Sequence, residues 1–314
     1  MSSTFNYQSV KPLNQQNKTD FQRTVNDTCA ILAQADVNYL TASTIDFFWI
    51  VFFLPILIPR IREAIRKRQR HLVIKHLEAR RNTRVVTLVH RGTLSPLLGM
   101  LMGRFINIEN SEEILKAIRE TPKDRPIDLI VHTPGGLALA TRQIANALAN
   151  HPAKVTIIIP HFAMSGGTFL ALAANQVLMD QNAVLGQIDP QIANMPAVSI
   201  QKVMQMKNPE DIDDRTIIMA DISEKAIRQT REAAQEILKK VGYSEEKIIK
   251  ITEELTSPKH THDKPLTLKE LKELGLKVKP QIPAEVYNLL NLYPQPNRGS
   301  APVEYTSSPK SKTG

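Results

Sequence analysis

A chain of 314 residues with 42% hydrophobic and 23% charged residues can bury one large core or two modest ones. Its single cysteine, Cys29, excludes an internal disulfide and any all-cysteine metal site. The net charge of +9 raises the question of nucleic acid, but Arg60, Arg62, Arg66, Lys67, Arg68 and Arg70 cluster behind an apolar run with no aromatic residue among them, which argues against a base-stacking surface.

Residues 1–40 are rich in Asn, Gln, Ser and Thr and lack the basic start, apolar core and small-residue cleavage site of a secretory leader. A disordered polar tail is expected there. Residues 45–58 are nearly all apolar, Phe47, Phe48 and Trp49 through Leu57, and number 14, against the ~20 that span a bilayer. With the basic helix from Arg60 to about Arg81, this run makes 41–82 a membrane-associated segment, either spanning with residues borrowed from 38–44 or lying shallowly in the interface. A buried packing helix is the alternative. Basic residues crowd 60–70 and none lies in 24–44, so the positive-inside rule places the rest of the chain in the cytosol.

An alternating pattern follows. A strand over 84–90 leads into a loop through Gly103 and a helix over 111–120, with Ser111 as its N-cap. A strand over 127–132, the turn Thr133-Pro134-Gly135-Gly136 and a helix over 137–150 form one unit. A strand over 155–159, the turn around Ser165 and the apolar run 169–174 form a second. Short strands over 176–180 and 183–187 come next. Strands alternating with helices predict a parallel sheet with right-handed crossovers, an α/β domain over 83–292. From Ser199 the chain is mainly helical, with helices over 222–241, 244–254 and 268–274, and 293–314 is a Pro- and Ser-rich tail.

Two glycine turns at the ends of neighbouring parallel strands can face each other. Ser165, between Met164 and Gly166-Gly167, presents a hydroxyl at a helix N-terminus, and the facing turn can offer N–H groups to an oxyanion. The hydroxyl needs a base. His90 and His132 close strands, His161 precedes the serine, and His260 and His262 lie downstream beside Asp263. A lysine made neutral by burial also serves; spacing does not choose between Lys202, Lys207 and Lys225. His260-Thr261-His262 lacks further metal ligands, no Gly-x-Gly-x-x-Gly fingerprint is present, and no metal or cofactor is expected.

His132-Thr133-Pro134-Gly135-Gly136, Ala163-Met164-Ser165-Gly166-Gly167-Thr168 and Gly186-Gln187-Ile188-Asp189-Pro190-Gln191 resemble the serine dehydrogenase proteinase (SDH proteinase) family, related to signal peptide peptidase A within the ClpP/crotonase superfamily. The likeness continues through 219–226, Thr261-His262-Asp263-Lys264-Pro265 and 292–296. The resemblance implies a ClpP/crotonase-like fold and a membrane-anchored serine peptidase of a bacterial or archaeal inner membrane. It also implies a homo-oligomer acting on peptides or membrane-protein segments. It implies a Ser-Lys dyad of Ser165 and Lys225, formed within one subunit or between two, with Gly136 and Gly166 as oxyanion hole; the residues alone leave His262, beside Asp263, as the alternative base. The stretch 186–190, where ClpP carries its histidine, has none. A non-catalytic membrane scaffold and acyl-CoA chemistry are the competing functions.

Overall fold

The computed structural model describes residues 44–91, 105–257 and 259–293, with side chains from residue 57 onward. The expected N-terminal tail, most of the expected C-terminal tail and the loop through Gly103 lie outside the described residues. The chain divides into two compact units, Met1–Ala64 and Ile65–Gly314. One helix, α1 (Thr44–Arg81), runs across that division, so the apolar run and the basic helix expected as separate pieces form a single element that continues through Pro55 and Pro59. Among the described residues no helix is long and apolar enough to cross a membrane. The apolar run ends against Arg60 and Arg62 before a bilayer's thickness is covered, and the expected spanning helix is not supported.

The second unit is an α/β structure with a parallel sheet flanked by helices. Strands β1 (Arg84–Val89), β2 (Ile127–His132), β3 (Val155–Ile159), β5 (Gln176–Met179) and β10 (Val278–Lys279) form a five-stranded sheet in the order β1-β2-β3-β5-β10. Every neighbouring pair is parallel, with Ile127 opposite both Arg84 and Val155. β2 and β3 are buried along their whole length, which is why they read as near-continuous apolar runs. Alternate residues face two cores. Leu129, Val131, Ile157 and Ile159 pack with Ile144 and Leu148 of α3 (Ala138–Ala149), Leu170 and Leu172 of α4 (Gly166–Leu172), and Ile237 and Leu238 of α6 (Asp214–Lys240). Ile130, Ile158 and Leu178 pack on the other face with Leu77 of α1 and with Val286 and Leu289 of α9 (Ala284–Asn291).

A smaller three-stranded sheet stands at the carboxyl end of β3. Strand β4 (Phe162–Ala163) pairs in parallel with β6 (Val184–Leu185), which pairs antiparallel with β9 (Leu266–Thr267). A hairpin of β7 (Gln191–Ile192) and β8 (Met195–Pro196) leads into α5 (Ala197–Met206). α7 (Glu245–Leu255) and α8 (Leu268–Glu273) flank β9 in the chain.

Two helix starts differ from the sequence reading. α2 (Ile108–Arg119) is capped by Asn107, not Ser111: Asn107 accepts from the Asn110 N–H and the Asn110 side chain returns a bond to the Asn107 N–H. Ser111 instead lies inside the helix, its hydroxyl donating to the Ile108 carbonyl at 2.8 Å. α6 begins at Asp214, ahead of the expected 222, because Asp213 caps it through the Thr216 N–H.

Candidate active site

The two glycine turns meet at Ser165. The Thr133 N–H donates to the Phe162 carbonyl at 3.4 Å and the Met164 N–H to the Thr133 carbonyl at 3.0 Å, so the turn after β2 is bonded to the turn after β4. A Cβ on Gly135, which has φ +115°, would lie 2.8 Å from Ser165 Cβ, and one on Gly166 would lie 3.4 Å from Gly136 N. The first approach leaves no room for a side chain, and a Cβ on Gly166 would also press on Thr141 Oγ1 at 2.6 Å. A Cβ on Gly136 would overlap the backbone of Ile106. Ile106 grips this turn from both sides: its N–H donates to the Gly135 carbonyl and its carbonyl accepts from the Leu137 N–H, both at 2.8 Å.

That grip sets the direction of a donor. In a trans peptide the N–H points opposite to the C=O. The Gly135 carbonyl is held toward Ile106, so the N–H of Gly136, in the same peptide, is turned away from it. No hydrogen bond among the described residues uses the N–H of Gly136 or of Gly166. Two free donors on adjoining turns can receive a developing negative charge.

Ser165 is the N-cap residue of α4, with φ 50° and ψ −113°. An L-residue rarely holds such a backbone, which costs about 1–3 kcal/mol, and such residues cluster at active sites. Its hydroxyl caps no N–H of α4 and makes no hydrogen bond among the described residues. Thr168, one turn on, anchors the segment: its hydroxyl donates to the Ala163 carbonyl at 2.8 Å and accepts from the Gly186 N–H at 2.9 Å.

The two candidate bases fare differently. Lys225 lies on α6 with its side chain 56% exposed and its amine on Asp221, one turn earlier, at 2.5 Å. Burial is what makes a lysine neutral enough to accept a proton, and Lys225 lacks it. No hydrogen bond joins it to Ser165 among the described residues, so the expected dyad is not assembled within the chain. His262 has a carboxylate partner, and it is not the neighbouring Asp263 but Asp189: Nδ1 lies 2.6 Å from Asp189 Oδ1. Asp189 is 5% exposed, and its other oxygen accepts from Gln191 Nε2 at 2.8 Å. An ionised carboxylate only accepts, so Nδ1 carries the hydrogen, and in a neutral ring Nε2 then holds the lone pair.

The small sheet brings this pair to the serine's end. Ala163, Leu185 and Leu266 are aligned across β4, β6 and β9. Ser165 follows Ala163, Asp189 follows Leu185, and His262 precedes Leu266 on the antiparallel strand. All three leave the same end of the sheet. Gly186 helps to close it, since a Cβ there would overlap the Met164 side chain.

Four contributors escaped sequence reasoning: Asp189 as the partner of His262, Ile106 as the clamp, His90 with Thr133, and Thr141. His90 Nδ1 lies 2.8 Å from Thr133 Oγ1 and its Nε2 3.1 Å from Asn110 Oδ1. The Thr141 hydroxyl is buried, has no partner among the described residues, and fills the space beside Gly166, 2.6 Å from where a Cβ would stand. Asp189 and Thr133 stand in quoted motifs and His90 is one of the histidines that close strands, but their pairings, like the places of Ile106 and Thr141, depend on contacts distant in sequence. Behind the turns, His132 packs on Phe162 and His161, with ring centroids 4.4 and 5.6 Å away. Burial, helped by the nearby His161, Arg91 and His90, lowers the His132 pKa to about 4. His260 faces Glu254 at 3.3 Å.

The family model described as ClpP-like SDH-type serine proteinase matches residues 35–314. Among curated proteins, uncharacterized protein MJ0137 of Methanocaldococcus jannaschii is 48% identical over 262 residues, covering 83% of this chain and 91% of the relative. Uncharacterized protein MJ1495 of the same organism is 50% identical over 266 residues, covering 85% of this chain and 90% of the relative.

Proposed function

The chain belongs to the ClpP-like SDH-type serine proteinases, and on that premise we propose that Ser165 is the nucleophile of a serine peptidase whose general base is His262, oriented by Asp189. As Ser165 Oγ attacks the peptide carbonyl carbon, its proton passes to His262 Nε2 and the carbonyl π pair moves onto oxygen. The N–H groups of Gly136 and Gly166 receive that oxyanion. Its collapse breaks the C–N bond, the departing amine takes the proton from Nε2, and an ester to Ser165 remains. Water attacks the ester, gives its proton to Nε2, and Ser165 leaves with that proton restored.

The observation that carries this reading is the 2.6 Å His262–Asp189 contact on the sheet end from which Ser165 emerges. Hydrolysis of fluorescently labelled casein tests it. Ser165→Ala and His262→Ala should each lower the rate by at least ~10³, with Lys225→Met within about twofold of wild type. Unchanged hydrolysis in Ser165→Ala would end the peptidase reading. Loss in Lys225→Met with His262→Ala unaffected would return the base to lysine.

We further propose that the first unit holds the protein at a membrane surface without crossing it. An apolar run of 14 residues followed at once by Arg60 and Arg62 suits shallow insertion beside anionic headgroups, and Leu57 and Ile61 are exposed there. The protein should float with vesicles containing anionic lipid and less with purely zwitterionic ones; complete recovery in the soluble fraction with both would rule this out.

A further inference from the structure

We propose that His90 is a positioning residue of the oxyanion turn, holding the Gly136 N–H in place through the Thr133 hydroxyl. This rests on the peptidase reading above and adds a component that lies outside the nucleophile, the base and the two donors.

Three hydrogen bonds run in one direction, from the Gly135 N–H through Thr133 and His90 to Asn110. Asn110 Oδ1 can only accept, so His90 Nε2, 3.1 Å away, carries the hydrogen. His90 Nδ1 then has a lone pair, and Thr133 Oγ1 at 2.8 Å donates to it. With its hydrogen committed, the Thr133 oxygen accepts from the Gly135 N–H at 3.2 Å. Asn110 is itself fixed, because the same Oδ1 accepts from the Asn107 N–H at 3.3 Å in the cap of α2. Burial lowers the His90 pKa below the usual histidine range, partly offset by the Asn110 bond, which keeps the ring neutral at neutral pH.

The chain of bonds ends where the catalytic geometry is decided. Thr133 is fully buried, and its backbone bonds the segment that carries Ser165. The Gly135 N–H is held by Thr133 and the Gly135 carbonyl by Ile106, so both peptide planes flanking Gly135 are fixed. Gly135, with φ +115°, has the freedom to let those planes turn if either tether is lost. A second arrangement is available: the Thr133 hydroxyl is also 3.3 Å from the Gly135 carbonyl, the oxygen that Ile106 already engages. His90, by taking the hydroxyl hydrogen, holds Thr133 off that carbonyl. A tilted 135–136 peptide would still admit substrate but would aim its N–H away from the oxyanion, so the loss belongs to the transition state.

The test measures kcat and KM on a fluorogenic peptide that the wild type cleaves, with thermal melting as the folding control. Thr133→Val should lower kcat about tenfold or more with KM within about twofold, and Thr133→Ser should restore most of it. His90→Ala should lower kcat similarly in the wild-type background and cost nothing further in the Thr133→Val background, because it acts through that hydroxyl. An unchanged kcat in Thr133→Val, a loss confined to KM, or an independent His90→Ala effect would overturn the proposal. If Thr133→Val does not fold, His90→Ala and His90→Asn are read alone on the same split; a drop in kcat supports the proposal, and a drop only in affinity, or none, defeats it. Ser165→Ala assayed alongside separates the two ideas. Activity surviving there removes the peptidase reading itself, whereas full-rate Thr133→Val beside a dead Ser165→Ala removes only the role of His90.

Discussion

Side chains at the carboxyl edge of the sheet carry costs that only function or special packing explains. Ser165 holds a strained backbone, and among the described residues the buried Thr141 hydroxyl and the Nδ1 of the buried His132 ring have no partner. Each unsatisfied buried group costs about 1–3 kcal/mol. His132 has a measurable consequence. Its folded pKa of about 4 lies below the ordinary 6.5, so the unfolded chain binds that proton first as pH falls. Its contribution is intact above pH 6.5, and stability falls through the window from 6.5 to about 4. His90, lowered in the same direction, adds to that fall. Thermal melts of wild type and His132→Asn across this range should show a shallower decline in the variant; parallel curves would mean that another group controls acid sensitivity.

At the scale of elements, β2 is the hinge of the architecture, paired on both sides and buried throughout. It nevertheless contains Asp128. That carboxylate is bonded by Arg81 Nε at the end of α1, by Arg81 Nη2 at 3.3 Å and by the Thr83 hydroxyl at 2.9 Å. The pair ties the helix end to the central strand. Removing one partner of a buried pair leaves a charge in a dry site, so Arg81→Met should cost about 3 kcal/mol in urea unfolding; a change below about 0.5 kcal/mol would show that Thr83 and solvent suffice. The long elements were legible in the sequence because their signal is local. β1, β2, β3 and β5 are apolar runs, and the glycines of 133–136 and 165–168 mark the turns. β4, β6 and β9 are two residues each, defined by pairing with distant partners, and no window of sequence contains that information. The Asn107 cap was missed because Asn110 takes the place usually held by Glu or Gln in a capping box. The base was obscured similarly: His262 and Asp189 are 73 residues apart, and the adjacent Asp263 was the wrong carboxylate to notice.

Across the whole molecule, family membership and geometry meet at one sheet end, where a strained serine, two free N–H groups and a carboxylate-oriented imidazole emerge from different strands. Parallel α/β sheets place their ligands at such carboxyl edges. The clamp by Ile106 and the His90–Thr133 bonds belong to the same end, and on the proposed reading the scaffold holds donors and nucleophile in register. The most direct measurement is the rate at which a fluorophosphonate modifies the full-length protein, followed by intact mass with the adduct mapped to its peptide. A single adduct on Ser165 is expected in wild type and in Lys225→Met at equal rates, slowed at least about 100-fold in His262→Ala and absent from Ser165→Ala. An adduct that persists in Ser165→Ala, or forms at an unchanged rate in His262→Ala, would contradict the account.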